Sequence, residues 1–139
     1  MTQHPTDLAL LEAIYDRFYN DFVEFDRDPT KRKNKILVPI DIPAIATHLN
    51  VDAELVFGRL YYHLEEKYGR SKDDGSRMVL FAINVGGEKH CVNFPMLASI
   101  VAALKQDEDR FKWPLWISIV SLAVSIAAIL ISFKTQFAA

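Results

Sequence analysis

The chain has 139 residues, half of them hydrophobic, with 16 basic and 18 acidic side chains. Its formal net charge of −2 argues against a domain built mainly to grip nucleic acid, which is usually basic. The single cysteine, Cys91, excludes an internal disulfide and fits a reducing compartment.

The first residues are polar, so the N-terminus does not read as a signal peptide. Thr6 and Asp7, after Pro5, mark a helix start. Leu8, Leu11, Tyr15, Phe18, Phe22 and Phe25 follow at spacings of 3, 4, 3, 4 and 3, a helical stripe that should stop near Asp28-Pro29. The stripe suits one face of a domain core, and a seam against a second copy or a partner has the same pattern. Charge is uneven along the chain. Residues 1–30 hold seven acids and two bases, and Lys31, Arg32, Lys33 and Lys35 then place +4 within five residues. That basic loop could meet lipid or nucleic-acid phosphates without reading sequence, or simply be solvated.

Residues 35–42 (KILVPIDI) read as a short strand, which Pro39 confines to a sheet edge or a strand end. Asp41 is placed to cap a short helix containing Ile42, Ile45, Ala46 and Leu49. Asn50 suits a left-handed turn, and Asp52 can cap a longer helix over residues 53–68. Gly69 ends that helix, and residues 72–75 form a polar loop. Residues 78–85 and 90–94 read as strands flanking Gly86-Gly87, a hairpin signal. Pro95 opens a last soluble helix that runs through Ala103.

Residues 42–64 (IPAIATHLNVDAELVFGRLYYHL) resemble a helix-turn-helix. Ala46 is small enough for close crossing, Asn50 makes the turn, and Leu49, Val51, Val56, Leu60 and Leu64 fill the angle. With the flanking elements, the chain resembles a winged helix-turn-helix whose wing is the hairpin. The resemblance covers about 90 residues and names a superfamily, not a function. It implies an α+β fold of helix, short strand, helix pair, β-hairpin wing and helix. In DNA-binding members, the start and exposed face of the second helix enter the major groove. The matching positions here are Asp52, Ala53, Glu54, Phe57, Gly58 and Tyr61, which offer none of the side chains that pair well with base edges. Arg59 is the one base nearby, and Arg77, Lys89 and His90 lie on or near the wing. Phe57, Tyr61 and Tyr62, with Glu54, suit a protein partner instead, unless one or two of the rings complete the core.

No catalytic or metal-binding constellation is legible. His4, His48, His63 and His90 lack ligand-like spacing to one another or to Cys91. Gly86-Gly87 lacks the Lys and Ser/Thr of a phosphate-binding loop. Glu65-Glu66 and Asp73-Asp74 are adjacent pairs, which do not face each other on a helix. The expectation is a protein without enzymatic activity or cofactor.

Residues 113–133 carry no charge and are bounded by Lys112 and Lys134. As a helix they cover about 31 Å, the thickness of a bilayer's hydrocarbon core. Trp113 and Trp116 fit the headgroup level, and Pro114 fits a first helical turn. Lys105, Arg110 and Lys112 precede the span and Lys134 alone follows it, which favours a cytoplasmic N-terminal domain. The expected organisation is a winged-helix-like domain over 1–105, a juxtamembrane linker over 106–112, a transmembrane helix over 113–133 and a short far-side tail over 134–139. Within the span, Ser118, Ser121, Ser125, Ala128 and Ser132 recur at spacings of 3, 4, 3 and 4, a small-residue stripe that permits close helix packing.

Together these features predict a single-pass membrane protein, placed in a bacterial inner membrane. Its partners would be the bilayer and a protein, or a second copy, met through the soluble domain and the span. It would act as an adaptor, a regulator or an assembly subunit of a membrane complex. The alternative is a membrane-tethered DNA-binding transcription regulator, with nucleic acid the less favoured partner.

Overall fold

The computed structural model describes residues 4–138 and shows mixed helix and sheet, with one long apolar helix at the C-terminal end. The chain divides into two compact units, the boundary falling between Ala102 and Ala103.

Helix α1 (Asp7–Glu24) starts where Thr6 accepts the Ala9 N–H at 3.1 Å. Its buried face is Leu10, Leu11, Ile14 and Phe18. Leu11 and Phe18 belong to the predicted stripe, but Leu8 is only half-buried. The inward face is therefore centred to one side of the aromatic stripe. Tyr15 and Phe22 flank it and stack on Phe94, with ring centroids 5.3 and 4.8 Å apart.

Strand β1 (Leu37–Pro39) pairs antiparallel with the later strand β5 (Glu88–Asn93), which also pairs with β4 (Phe81–Val85). The order β1-β5-β4 leaves β1 at an edge, where Pro39 is tolerated. Asp41 caps α2 (Ile42–Leu49) by accepting the Ala44 N–H at 3.1 Å. Asn50 is left-handed, at φ 54° and ψ 46°, and Asp52 caps the next helix through the Glu54 N–H at 2.8 Å. Ala46, Val56, Leu60 and Leu64 are buried between these elements, as their spacing requires. Full burial of a Val or Leu side chain contributes about 1.5–3 kcal/mol.

The long helix is not uniform. It consists of α3 (Ala53–Gly58), a π-helical segment (Arg59–Leu64) and α4 (Glu65–Tyr68), all right-handed. Beyond it, the expected strand over 78–85 is broken in two. β2 (Arg70–Ser71) pairs with β3 (Arg77–Met78), and β4 begins only at Phe81. At that break Glu65 accepts the N–H groups of Leu80 and Phe81, while the Leu80 carbonyl still accepts the Asn93 N–H. The β4–β5 turn has Gly86 at φ 60° and Gly87 at φ 94°, which a side chain would oppose.

Phe94 does not end β5 as expected. It opens α5 (Phe94–Phe137), capped by the Asn93 side chain, which accepts the Met96 N–H at 3.2 Å. Phe94, Leu97, Ile100 and Val101 are buried. Residues 106–112 are helical: Gln106, Glu108, Arg110 and Lys112 are good helix formers, and Lys112 pairs with Glu108 one turn earlier at 2.9 Å. Pro114 therefore lies inside α5 and not in a first turn. The helix is long and apolar enough to cross a membrane, and its most apolar window is wholly unburied.

Candidate functional site

The π-helical segment organises the most chemically distinctive surface. Its i→i+5 bonds widen the turn beyond the α-helix's 3.6 residues, so side chains four apart come nearly into line. Three such columns are visible. Phe57 stacks on Tyr61, with centroids 5.6 Å apart and planes at 15°. Gly58 lies beneath Tyr62, a Cβ on it being 3.8 Å from the Tyr62 ring. Arg59, His63 and Lys67 all face Asp7 of α1.

The first column rests on the sheet. Phe57 meets Phe81 and His90 edge-on, at 6.0 and 5.6 Å, and Tyr61 meets Phe81 at 6.4 Å. Of the three rings predicted to face a partner, Phe57 is half-buried and seals the Phe81 edge of the core. Tyr61 is 38% exposed and Tyr62 is 70% exposed. Glu54 is exposed on the turn before them. The structure thus brings Phe57, Tyr61 and Tyr62 into one aromatic shelf that opens outward at Tyr62.

His90 floors this shelf in an unusual state. Its backbone is left-handed (φ 58°) within β5, its ring lies parallel to Phe81, and its Nδ1 is buried without a hydrogen-bond partner among the described residues. A non-glycine residue held there costs about 1–3 kcal/mol. Nothing in the strand-like run HCVNF signalled it.

Two carboxylates, Asp7 half-buried and Glu65 buried, fix the helix that carries the shelf, in roles that the helix-start and adjacent-pair readings did not give them. Asp7 accepts from Arg59 Nε at 3.0 Å, Arg59 Nη2 at 2.5 Å and Lys67 Nζ at 3.3 Å. Burial pushes its carboxyl up, but the hydrogen bonds and charges of Arg59 and Lys67 outweigh this and hold it below the usual carboxylate range. Glu65 accepts the Leu80 and Phe81 N–H groups at 2.7 and 2.8 Å, and Arg77 Nε at 3.3 Å. Both contacts span many residues of sequence, so local pattern could not find them.

The basic loop is matched within the chain. Lys31 pairs with Glu24 at 2.6 Å and Lys35 with Asp26 at 2.5 Å. Arg32 donates to the carbonyls of Asp21, Asn34 and Lys35 and lies over the Phe25 ring. Lys33 donates to the Gly86 carbonyl at 3.2 Å across an open groove of about 610 Å³. The loop therefore clamps the end of α1 and the hairpin turn.

In α5, the hydroxyls of Ser118, Ser121, Ser125 and Ser132 donate to the carbonyls of Pro114, Ile117, Ser121 and Ala128, at 2.9–3.0 Å. The stripe thus presents small, internally satisfied surfaces, with Ala128 exposed among them. Cys91 is buried, and burial pushes its thiol up. Among the described residues, no group of three or more His, Cys, Asp or Glu side chains converges as a metal site would require. No protein-family model, curated protein or solved structure matches the chain.

Proposed function

We propose that this chain is a membrane-anchored winged-helix protein that works as a protein-interaction module, offering its aromatic shelf to a protein partner. The observation that carries this reading is the character of the exposed helix face. Tyr61 and Tyr62 open outward beside Glu54, while the nearest cation, Arg59, is turned to Asp7. Exposed tyrosines with few cations are enriched in protein interfaces, whereas a duplex needs lysine or arginine on the inserted face. In the basic loop Lys31 and Lys35 are paired with Glu24 and Asp26, and Arg32 and Lys33 are held by backbone carbonyls, which lowers the loop's pull on phosphates.

The order helix, strand, helix pair and hairpin supports the winged-helix assignment, with the β4–β5 hairpin as the wing. The apolar part of α5 supports a single membrane span, and the lysine and arginine excess before it supports a cytoplasmic soluble unit; the membrane in this proposal is a bacterial inner membrane. The small-residue stripe supports pairing of that span with a second copy or another subunit.

Duplex binding by the full chain in detergent micelles tests the reading against DNA recognition. Titration at two salt concentrations should give no sequence preference and only weak, salt-sensitive binding. Tight binding that selects one duplex over a scrambled one would overturn it.

A further inference from the structure

Gly58 is the residue of the exposed helix face that the chain's own packing does not explain. Glycine weakens a helix relative to alanine. Its φ of −59° is ordinary for any residue, and a Cβ there would meet nothing closer than the Tyr62 ring at 3.8 Å. The missing side chain therefore serves no turn and no close intramolecular approach.

What surrounds it suggests what approaches instead. The four-residue alignment places Glu54, Gly58, Tyr62 and Glu66 in one column. Tyr62 is 70% exposed. Among the described residues, the carboxylates of Glu54 and Glu66 have no hydrogen-bond or ion-pair partner. Of the cations close by in sequence, Arg59 and Lys67 face Asp7 and Arg77 faces Glu65, while Arg70, four residues beyond Glu66, pairs with neither carboxylate. The column is thus an exposed aromatic ring beside a residue with no side chain, bracketed by two carboxylates without an ion-pair partner among the described residues.

We infer that this column is a docking notch for an arginine side chain of a protein partner. The inference rests on the protein-interaction reading above and names its chemistry. A planar guanidinium stacks on an aromatic face while its edge donates to carboxylates, a combination that the compact ammonium of lysine matches less well. At about 1.5 Å of rise per residue, Glu66 stands roughly 6 Å along the axis from Tyr62 and Glu54 roughly 12 Å. A guanidinium over the Gly58 gap reaches the Tyr62 ring and Glu54, and one on the far side reaches the ring and Glu66. The same carboxylates repel phosphates, so the notch selects a basic segment of protein over a nucleic acid.

The test is a nuclear magnetic resonance titration of the full chain in detergent micelles with N-acetyl-arginine amide, in parallel with the neutral isostere N-acetyl-citrulline amide. The Gly58 amide should shift saturably with arginine and not with citrulline. The response should weaken at least about fivefold in the Glu54→Gln/Glu66→Gln variant and vanish in Tyr62→Ala, since ring and charges act together. All three side chains are exposed, so unchanged Val38 and Leu80 amide positions will show that the fold is kept. No saturable shift up to tens of millimolar, an equal response to citrulline, or an undiminished response in the double variant would overturn the inference. Photocrosslinking from position 62 separates the two levels. Protein adducts there without an arginine response remove the notch and leave the docking face, whereas no protein adduct removes the docking face itself.

Discussion

Asp7, in the first turn of α1, receives two hydrogen bonds from Arg59 in the π-helical segment, at 3.0 Å from Nε and 2.5 Å from Nη2. This pair ties the start of the domain to the helix that carries the aromatic shelf. Asp7→Ala should destabilise the soluble unit by about 1.5–3 kcal/mol, the usual contribution of hydrogen bonds to a charged group. Thermal and urea unfolding of the two proteins side by side will measure it.

The same pair sets an acid limit. The Asp7 carboxyl is lowered in the folded chain from its ordinary 3.8, so its contribution is complete above that value and is lost as pH falls through the folded one. Lys67 is raised from 10.5, first by its hydrogen bond to Asp7, so its contribution holds below 10.5 and is lost as pH rises through the folded value. Between these limits the Asp7 and Lys67 contributions are both complete. In Asp7→Ala, the part of the acid loss that starts below about pH 4 should disappear from the stability–pH profile.

Glu65 is a second tie, and its geometry makes its side chain hard to replace. Glu65→Ala would leave the Leu80 and Phe81 N–H groups buried without acceptors, a loss of about 2–4 kcal/mol. Both N–H groups meet the same oxygen, Oε2, so Glu65→Gln with its amide oxygen in that place keeps both contacts and should lose well under half as much, through the lost charge and the Arg77 contact. Hydrogen exchange should show the Leu80 and Phe81 amides opening first in both variants.

Two glycines of neighbouring sequence should respond in opposite directions. A Cβ on Gly69 would lie 2.5 Å from the Glu65 carbonyl oxygen, so Gly69→Ala should cost about 2 kcal/mol or more. A Cβ on Gly58 would make only an ordinary contact with the Tyr62 ring at 3.8 Å, so Gly58→Ala should stabilise by about 0.5–1 kcal/mol. Paired unfolding curves will give the two signs.

The serine stripe makes a graded prediction. Because the hydroxyls already bond to carbonyls of their own helix, Ser121→Ala and Ser125→Ala should leave any oligomer intact. Ser121→Leu with Ser125→Leu should disperse it, since bulk prevents close approach in lipid. Crosslinking in membranes reads the difference. Loss of oligomers in the alanine variants would show that the hydroxyls themselves make the contact.

Much of the scaffold was legible because its signals are local. Asp41, Asn50 and Asp52 announce two caps and a turn, Gly86-Gly87 a hairpin, and Pro39 an edge. Phe57, Tyr61 and Tyr62 were legible as a face, though not that Phe57 seals the Phe81 edge of the core while Tyr62 stands clear. What escaped depends on distant partners. The π-helical segment follows no residue pattern, and the roles of Asp7 and Glu65 need residues 52 and 15 positions away. The basic loop looked like free charge because sequence cannot show that Glu24, Asp26 and backbone carbonyls satisfy it. Residues 106–112, read as a linker after a helix ending at Ala103, lie within the continuous helix α5.

The central claim is that the aromatic shelf meets protein. Its most direct test is photocrosslinking in cells, with benzoyl-phenylalanine placed at Tyr62 and, as a control on another element, at Tyr19, which is 44% exposed. The account predicts a discrete protein adduct from position 62, weakened by Glu54→Gln/Glu66→Gln, and none from position 19. Adducts to nucleic acid, or the same background from both positions, would contradict it.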